Sequence, residues 1–315
     1  AGRNVLSKFL PVLLGLGTLQ LNTMMDTVIA MWPLWVGPTM FGRPVPLDAS
    51  SNAIISYTQT LYQFPLGVFG IAVATAVFPL LARTANDASA FTDTLRRGLR
   101  LSLFIGLPAS VGLFLVRGDL LAVIFGGGRE AFSADGLARA QLVLAGFSIA
   151  VWAYSLNHVF TRAFYAQGDT KTPMRIAMSM VALNIGLNFT LIWPLKEAGL
   201  AWSTATTAML QTLILLLLCR RRLKVQPFDG VTAGAFARIA GVTAIMAAGV
   251  AAVLLLLPGA ESWTMHLARL AAAVGAGGII YLAAAVVLKL PELRWLLTRA
   301  PRGPGGPGAA PIPLD

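Results

Sequence analysis

A single cysteine, Cys219, in 315 residues leaves no disulfide framework to build on. Only two histidines occur, and neither has a Cys, Glu or second His at metal-ligand spacing, which excludes a zinc site. Charged residues make up 12% of the chain, against about 25% in an ordinary soluble domain, so a water-soluble fold is excluded as well. No nucleophile-and-base arrangement stands out, and no Gly-rich strand-to-helix phosphate loop can be placed. Asp87 and Asp93, the nearest acidic pair at a membrane surface, read as solvated loop charges, which leaves an enzyme little to work with. The start, Ala1-Gly2-Arg3, has no initiating Met, and the first apolar run is too long for a signal peptide. The chain is therefore expected to be a fragment or a processed product.

What the chain has in abundance is apolar sequence: 57% of it is hydrophobic. Runs of about 20 apolar residues fall near residues 9–32, 54–81, 99–124, 140–163, 174–194, 199–218, 237–257 and 267–288. Eight such runs predict an all-α polytopic membrane protein. Net charge is +11, which in a soluble chain would raise nucleic acid as a partner. The basic residues, however, fall at alternate loops. Eighteen of the 24 lie on one side, in five groups from Arg3 and Lys8 to Arg299 and Arg302, and the other side holds Arg43, Arg117, Arg129, Arg139, Lys196 and Arg269. The richer side is cytoplasmic by the positive-inside rule, so both termini are expected inside. Basic groups that flank helix ends at separate places do not form the stripe a nucleic acid needs.

Pro194-Leu195-Lys196-Glu197-Ala198 is too short for anything but an antiparallel helix pair on either side of it. The connection from Arg117 to Arg139 carries Phe125-Gly126-Gly127-Gly128-Arg129-Glu130-Ala131-Phe132 and reads as an outer loop or interfacial helix. Residues 1–222 are expected to form a six-helix lobe. Residues 223–290 form a second unit, whose Ala-, Val- and Leu-rich spans at 236–290 read as a peripheral pair facing lipid. Residues 291–315 comprise an amphipathic segment, Pro291 to Leu297, and a disordered Pro/Gly tail over 301–313.

Asp26 is the one carboxylate deep inside an apolar run. An ionised group at that depth costs about 2.5 to 3.5 kcal/mol on insertion scales, so it demands a partner or a wet cavity. Thr18, Asn22 and Asp26 recur every four residues, with Thr23 beside them, and so share a helix face. Asn184 and Asn188 have the same spacing, and Thr204 lies just past the short hairpin. One acid, two amide oxygens, a hydroxyl and a backbone carbonyl would make an oxygen cage for a hard monovalent cation. The bland reading of Asn184, Asn188 and Thr204 is interhelical glue, at about 0.6 kcal/mol each.

Two further surfaces carry polar groups. Ser56, Gln59, Thr60 and Gln63 line a stripe ahead of Phe64-Pro65-Leu66-Gly67-Val68-Phe69-Gly70, where Pro65 and the glycines predict a kink, static or hinged. Tyr154, His158, Thr161, Arg162 and Tyr165 share one face towards the cytoplasmic end of the fourth span and could hold an anionic headgroup. Thr60, Gln63, His158 and Arg162 are the substrate-cavity candidates.

Two long motifs, Tyr62 to Arg83 (YQFPLGVFGIAVATAVFPLLAR) and Arg162 to Pro173 (RAFYAQGDTKTP), followed by Gly199-Leu200-Ala201, resemble the signature of the lipid II flippase family (MurJ/MviN). The likeness covers residues 3–222 and extends to the last two spans by hydropathy. It implies a fourteen-helix transporter of the MOP type, similar to MATE antiporters, of which this chain is the second lobe plus a C-terminal pair that grooves the lipid tail. The first lobe is then missing. The function implied is transfer of lipid II, the undecaprenyl-linked peptidoglycan precursor, across the cytoplasmic membrane by alternating access, for cell-wall synthesis and cell shape. Membrane lipids and other cell-wall synthesis proteins would be partners. No organic cofactor is implied. A sodium site is, at positions matching Asp26, Asn184, Asn188, the carbonyl of Leu200 and Thr204, with Asn188 where a carboxylate can occur. Where the family usually places a cavity arginine, this chain has Thr60, so Arg162 or the missing lobe is expected to grip substrate phosphate. Another polyprenyl-linked polysaccharide flippase, a MATE-like antiporter and a scaffold lacking its first lobe are the alternatives.

Overall fold

The computed structural model describes residues 20–127, 132–260 and 262–297. Arg3, Lys8, Thr18, Arg129, Arg299, Arg302 and the 301–313 tail lie outside the described residues.

Residues 20–30 are helical (α1), and a single turn at Trp32–Trp35 (α2) follows. Next comes a two-residue hairpin that hydropathy does not register. β1 (Thr39–Met40) pairs antiparallel with β2 (Arg43–Pro44), and Phe41 and Gly42 turn it at φ 51° and 75°. Positive φ at both central positions is what a twist-matched two-residue turn requires.

Helix α3 (Ser51–Pro65) runs into α4 (Ala72–Arg83) through a π-helical stretch at Leu66–Ile71. The widened turns begin directly after Pro65, whose ring cannot supply an N–H to the preceding turn. Helix α5 (Ala88–Phe125) is capped by Asp87, whose carboxylate accepts from the Ser89 and Ala90 amides. At 1.5 Å per residue its 38 residues span roughly 57 Å, far more than a hydrocarbon core of about 30 Å. Arg117 therefore sits inside α5 and Arg139 inside α6 (Ala134–Ile149), which corrects the expected long connection between them. Among the described residues no interfacial helix separates the two.

The fourth expected span is also divided, because α6 ends at Ile149 and α7 (Val151–Ala166) begins after a break at Ala150. Ser110 of α5 accepts the Trp152 amide at 2.9 Å, giving a partner to a donor freed by the break. Helices α8 (Lys171–Leu195) and α9 (Ala198–Arg222) form the antiparallel hairpin expected from the short connection, turning at Lys196 with φ 51°. Gly199 sits so close to the Leu191 carbonyl that a Cβ has no room there. Helices α10 (Gly230–Leu256) and α11 (Trp263–Val287) pack on each other and on α5, and α12 (Pro291–Leu297) is the expected amphipathic segment.

Seven helical stretches among the described residues are long and apolar enough to cross a membrane, and each matches one of the eight predicted runs to within a residue at its end or contains it. The first run is described only from residue 20. Phe91, Leu95, Leu99, Phe104, Phe160 and Phe164 form the centre of the main core, where α5 meets α7. Leu255, Leu256 and Val287 of the C-terminal pair stay at least 76% exposed, an apolar surface that needs lipid or another protein segment against it.

Candidate functional site

Three helices bring Asp26, Asn184, Asn188 and Thr204 together. The four-residue period puts Asn184 and Asn188 on one face of α8, and that face meets α1 on one side and α9 on the other. Asn188 donates from Nδ2 to Asp26 Oδ1 at 2.9 Å and to Asn184 Oδ1 at 3.1 Å. Asn184 in turn donates to Thr204 Oγ1 at 3.1 Å. Asp26 is 1% exposed and both asparagines are fully buried. Leu200, also fully buried, lies one helical turn before Thr204 on α9.

Asp26 Oδ2 and Asn188 Oδ1 are buried and find no hydrogen-bond partner among the described residues. A buried carboxylate oxygen without a donor is costly, so a pair of such oxygens fits a hard cation, which takes oxygen ligands. Among the described residues no group of three or more His, Cys, Asp or Glu side chains exists to hold a softer metal. The helix that carries Asp26 is held from a second side by Gln59 of α3, which donates to Thr23 Oγ1 at 3.1 Å.

A cavity of about 330 Å³ opens beside this cluster, lined by α1, the π-helical stretch, α7, α8 and α9. Thr204 belongs to both. His158 and Arg162 line the cavity, and so do Tyr154, Thr161 and Tyr165 from the same face of α7. The Arg162 guanidinium also lies 5.7 Å from the Phe78 ring centroid, within cation–π reach. Thr60 and Gln63 do not reach this cavity. Both are exposed on α3, and the Thr60 hydroxyl donates back to the Ser56 carbonyl at 3.1 Å. Of their stripe only Gln59 turns inward.

Two polar features escaped the sequence reading. Asn157, next to His158, donates to the Ala208 carbonyl at 3.0 Å and accepts from Thr212 at 2.9 Å, which ties α7 to α9. Its signal was an amide in an apolar helix, the same signal that singled out Asn184. The second feature joins Arg139 to Glu197 (2.6 Å) and Asp48 (2.8 Å) at the end of the bundle where α3 and α9 begin. Arg139 holds the Asp48 carboxyl well below the usual carboxylate range. No local sequence signal links these three residues.

A family profile described as lipid II flippase MurJ matches residues 1–273. A "Probable lipid II flippase MurJ" from Vibrio cholerae is 31% identical over 208 residues, covering 65% of this chain and 37% of its own length. The relative of the same description from Haemophilus influenzae is 30% identical over 214 residues, covering 65% and 39%. The chain thus spans less than two fifths of either relative. Among solved structures, a lipid II flippase MurJ in an inward closed conformation superposes with TM-score 0.71 at 21% identity, covering 94% of this chain and 56% of the other. An outward-facing MATE-family multidrug transporter of the MOP superfamily gives 0.57 at 14% identity, covering 90% and 65%. At those identities the likeness establishes the fold: a multi-pass helical bundle of the MurJ and MATE kind.

Proposed function

From the premise that the chain belongs to the lipid II flippase MurJ family, we propose that it serves as the second lobe and C-terminal helix pair of a transporter that moves lipid II. The transfer runs from the inner to the outer leaflet of the cytoplasmic membrane by alternating access, with no covalent change to the substrate. Both termini of the chain face the cytoplasm. The alternating distribution of basic residues supports that orientation.

The observation that carries the coupling part of the reading is the pair of buried, unpartnered oxygens on Asp26 and Asn188. Sodium is the cation, held by Asp26, Asn188, Asn184, Thr204 and the Leu200 carbonyl. When bound, it neutralises the one carboxylate buried among α1, α8 and α9. Asp26 sits on α1, while Asn184, Asn188 and Thr204 sit on the α8–α9 hairpin, so occupancy favours the arrangement in which α1 closes on that hairpin. Only a difference in affinity between two arrangements can shift their balance. One elementary charge moved through 100 mV contributes about 2.3 kcal/mol, enough to move such an equilibrium substantially. His158 and Arg162 supply the polar wall of the adjoining cavity, while Thr60 and Gln63 face outward from α3, towards the other lobe and the space shared with it.

The test is lipid II translocation in proteoliposomes by the protein produced from its entire coding sequence, with a sodium gradient imposed. Translocation that depends on the gradient and is lost in Asp26→Asn is the expected result. Translocation indifferent to both would overturn the coupling, and transport of a different polyprenyl-linked precursor in place of lipid II would overturn the substrate.

A further inference from the structure

The end of α5 at Phe125, the start of α6, the end of α10 and the start of α11 meet at one face of the bundle, and a cavity of about 470 Å³ opens among them. This is the face opposite the basic helix ends, to which the sequence assigns only six of the chain's 24 Lys and Arg residues. Two of those six, Arg117 and Arg269, line this one cavity together with His266.

The three are not equivalent. Arg269 is committed to the fold. Its Nε reaches Asp119 at 3.3 Å, and its Nη1 donates to the carbonyls of Leu257 and Pro258 at the end of α10. His266 Nδ1 pairs with the same Asp119 at 2.7 Å. Arg117 has no such commitment. It donates one bond to the Phe114 carbonyl of its own helix and lies 4.3 Å from the Phe114 ring centroid. Its Nε is buried without a partner, and no carboxylate pairs with it among the described residues. A desolvated guanidinium donor left open is costly, and planar recognition of phosphate is what arginine does best. Gln141 of α6 lines the same cavity and adds an amide donor.

The rim decides what carries the phosphate. Leu255 and Leu256 at the end of α10 are more than 80% exposed beside the cavity. Trp263 at the start of α11 anchors its Nε1 to the Val123 carbonyl at 2.9 Å, as aromatic residues do at membrane–water boundaries. A soluble anion has no use for an apolar rim, whereas acyl chains do.

We propose that this cavity binds the phosphate headgroup of an anionic lipid in the leaflet at that face, with Arg117 as the charged contact and the end of α10 against the acyl chains. The proposal stands on the cavity and its rim and does not depend on what the protein transports.

The experiment measures binding to the purified protein in non-ionic detergent, by native mass spectrometry, of phosphatidylglycerol, phosphatidylcholine and inorganic phosphate. Phosphatidylglycerol should bind more tightly than phosphatidylcholine. Arg117→Gln should weaken it about tenfold or more, the value of one charge-assisted bond, with Arg117→Lys retaining part of the affinity. Gln141→Leu gives a second, milder loss that does not touch a charged group. Equal affinity in wild type and Arg117→Gln, or equal affinity for the two lipids, would overturn the site. Binding of inorganic phosphate through Arg117 as tight as that of the lipid would overturn the lipid assignment.

Discussion

Asn188 reaches across 162 positions of the chain to donate from Nδ2 to Asp26 Oδ1 at 2.9 Å, and Asp26 Oδ2 and Asn188 Oδ1 are left buried and unpartnered. The amide is the only hydrogen-bond donor to the carboxylate among the described residues. Asn188→Leu should therefore lower thermal stability by about 1.5 to 3 kcal/mol, the range for a bond to a charged group. Thermal unfolding in detergent, followed by intrinsic fluorescence, checks it. An unchanged transition would mean the carboxylate draws its support from elsewhere.

Arg139 is the counterpart at the end of the bundle. Its Nε meets Glu197 Oε1 at 2.6 Å, and Glu197 is 2% exposed. Arg139→Met should leave that acid buried and unpaired, costing about 3 to 5 kcal/mol. Loss of under about 1 kcal/mol in the same unfolding measurement would place the pair among weak surface contacts.

Asp48, the second acid on Arg139, gives this cluster a pH dependence. Its folded pKa lies below the unfolded value of 3.8, so its contribution is complete above that value and is lost as pH falls below it. Acidification below about pH 4 should lower the unfolding temperature of wild type more than that of Asp48→Asn. Parallel curves for the two proteins would remove Asp48 from the linkage.

How much of this was legible beforehand depended on whether the signal was local. Apolar runs located the helices, because a membrane-depth segment must satisfy its backbone internally whatever its neighbours do. The same signal stopped short at 99 for α5, which starts at Ala88, since the charged turn holding Arg96, Arg97 and Arg100 is helical without being apolar. The break at Ala150 has no Pro or Gly within three residues and is accommodated by Ser110 from another helix, so no reading of α6 and α7 alone could find it. At the candidate site, polar residues spaced four apart in apolar helices marked Asp26, Asn184 and Asn188. Helical period says which residues share a face but not what that face meets. Gln59 therefore turned inward while Thr60 and Gln63 of the same stripe did not.

The two glycines after Pro65 should respond differently to substitution. A Cβ on Gly70 would meet Ser155 Oγ at 2.8 Å and Leu66 Cδ1 at 2.9 Å, whereas one on Gly67 would meet nothing within 4 Å. Gly70→Ala should destabilise by about 1 to 3 kcal/mol through overpacking, and Gly67→Ala should be close to neutral. Equal effects of the two in thermal unfolding would show that the π-helical stretch, rather than close approach to α7, sets the requirement for glycine.

The C-terminal pair is fastened to α5 along its length. Arg100 meets the fully buried Glu292 of α12 at 2.6 Å, and Tyr281 of α11 donates to the Phe104 carbonyl at 2.5 Å. Arg100→Ala should strand Glu292 and cost about 3 to 5 kcal/mol, while Tyr281→Phe should cost about 1 kcal/mol. Limited proteolysis between α11 and α12 should accelerate in the first variant only. Unchanged cleavage there would detach α12 from the pair's anchorage.

The claim on which the coupling reading turns is that Asp26 is a cation ligand. The most direct measurement is the unfolding temperature of the purified protein titrated with sodium chloride, against choline chloride at matched ionic strength, in wild type and Asp26→Asn. A ligand that binds only the folded state raises stability with the logarithm of its concentration above Kd. Wild type should show that sodium-specific rise and Asp26→Asn should show none, while starting from a higher baseline because a buried charge has been removed. A wild-type response identical in sodium and choline, or a sodium response that survives in Asp26→Asn, would contradict it.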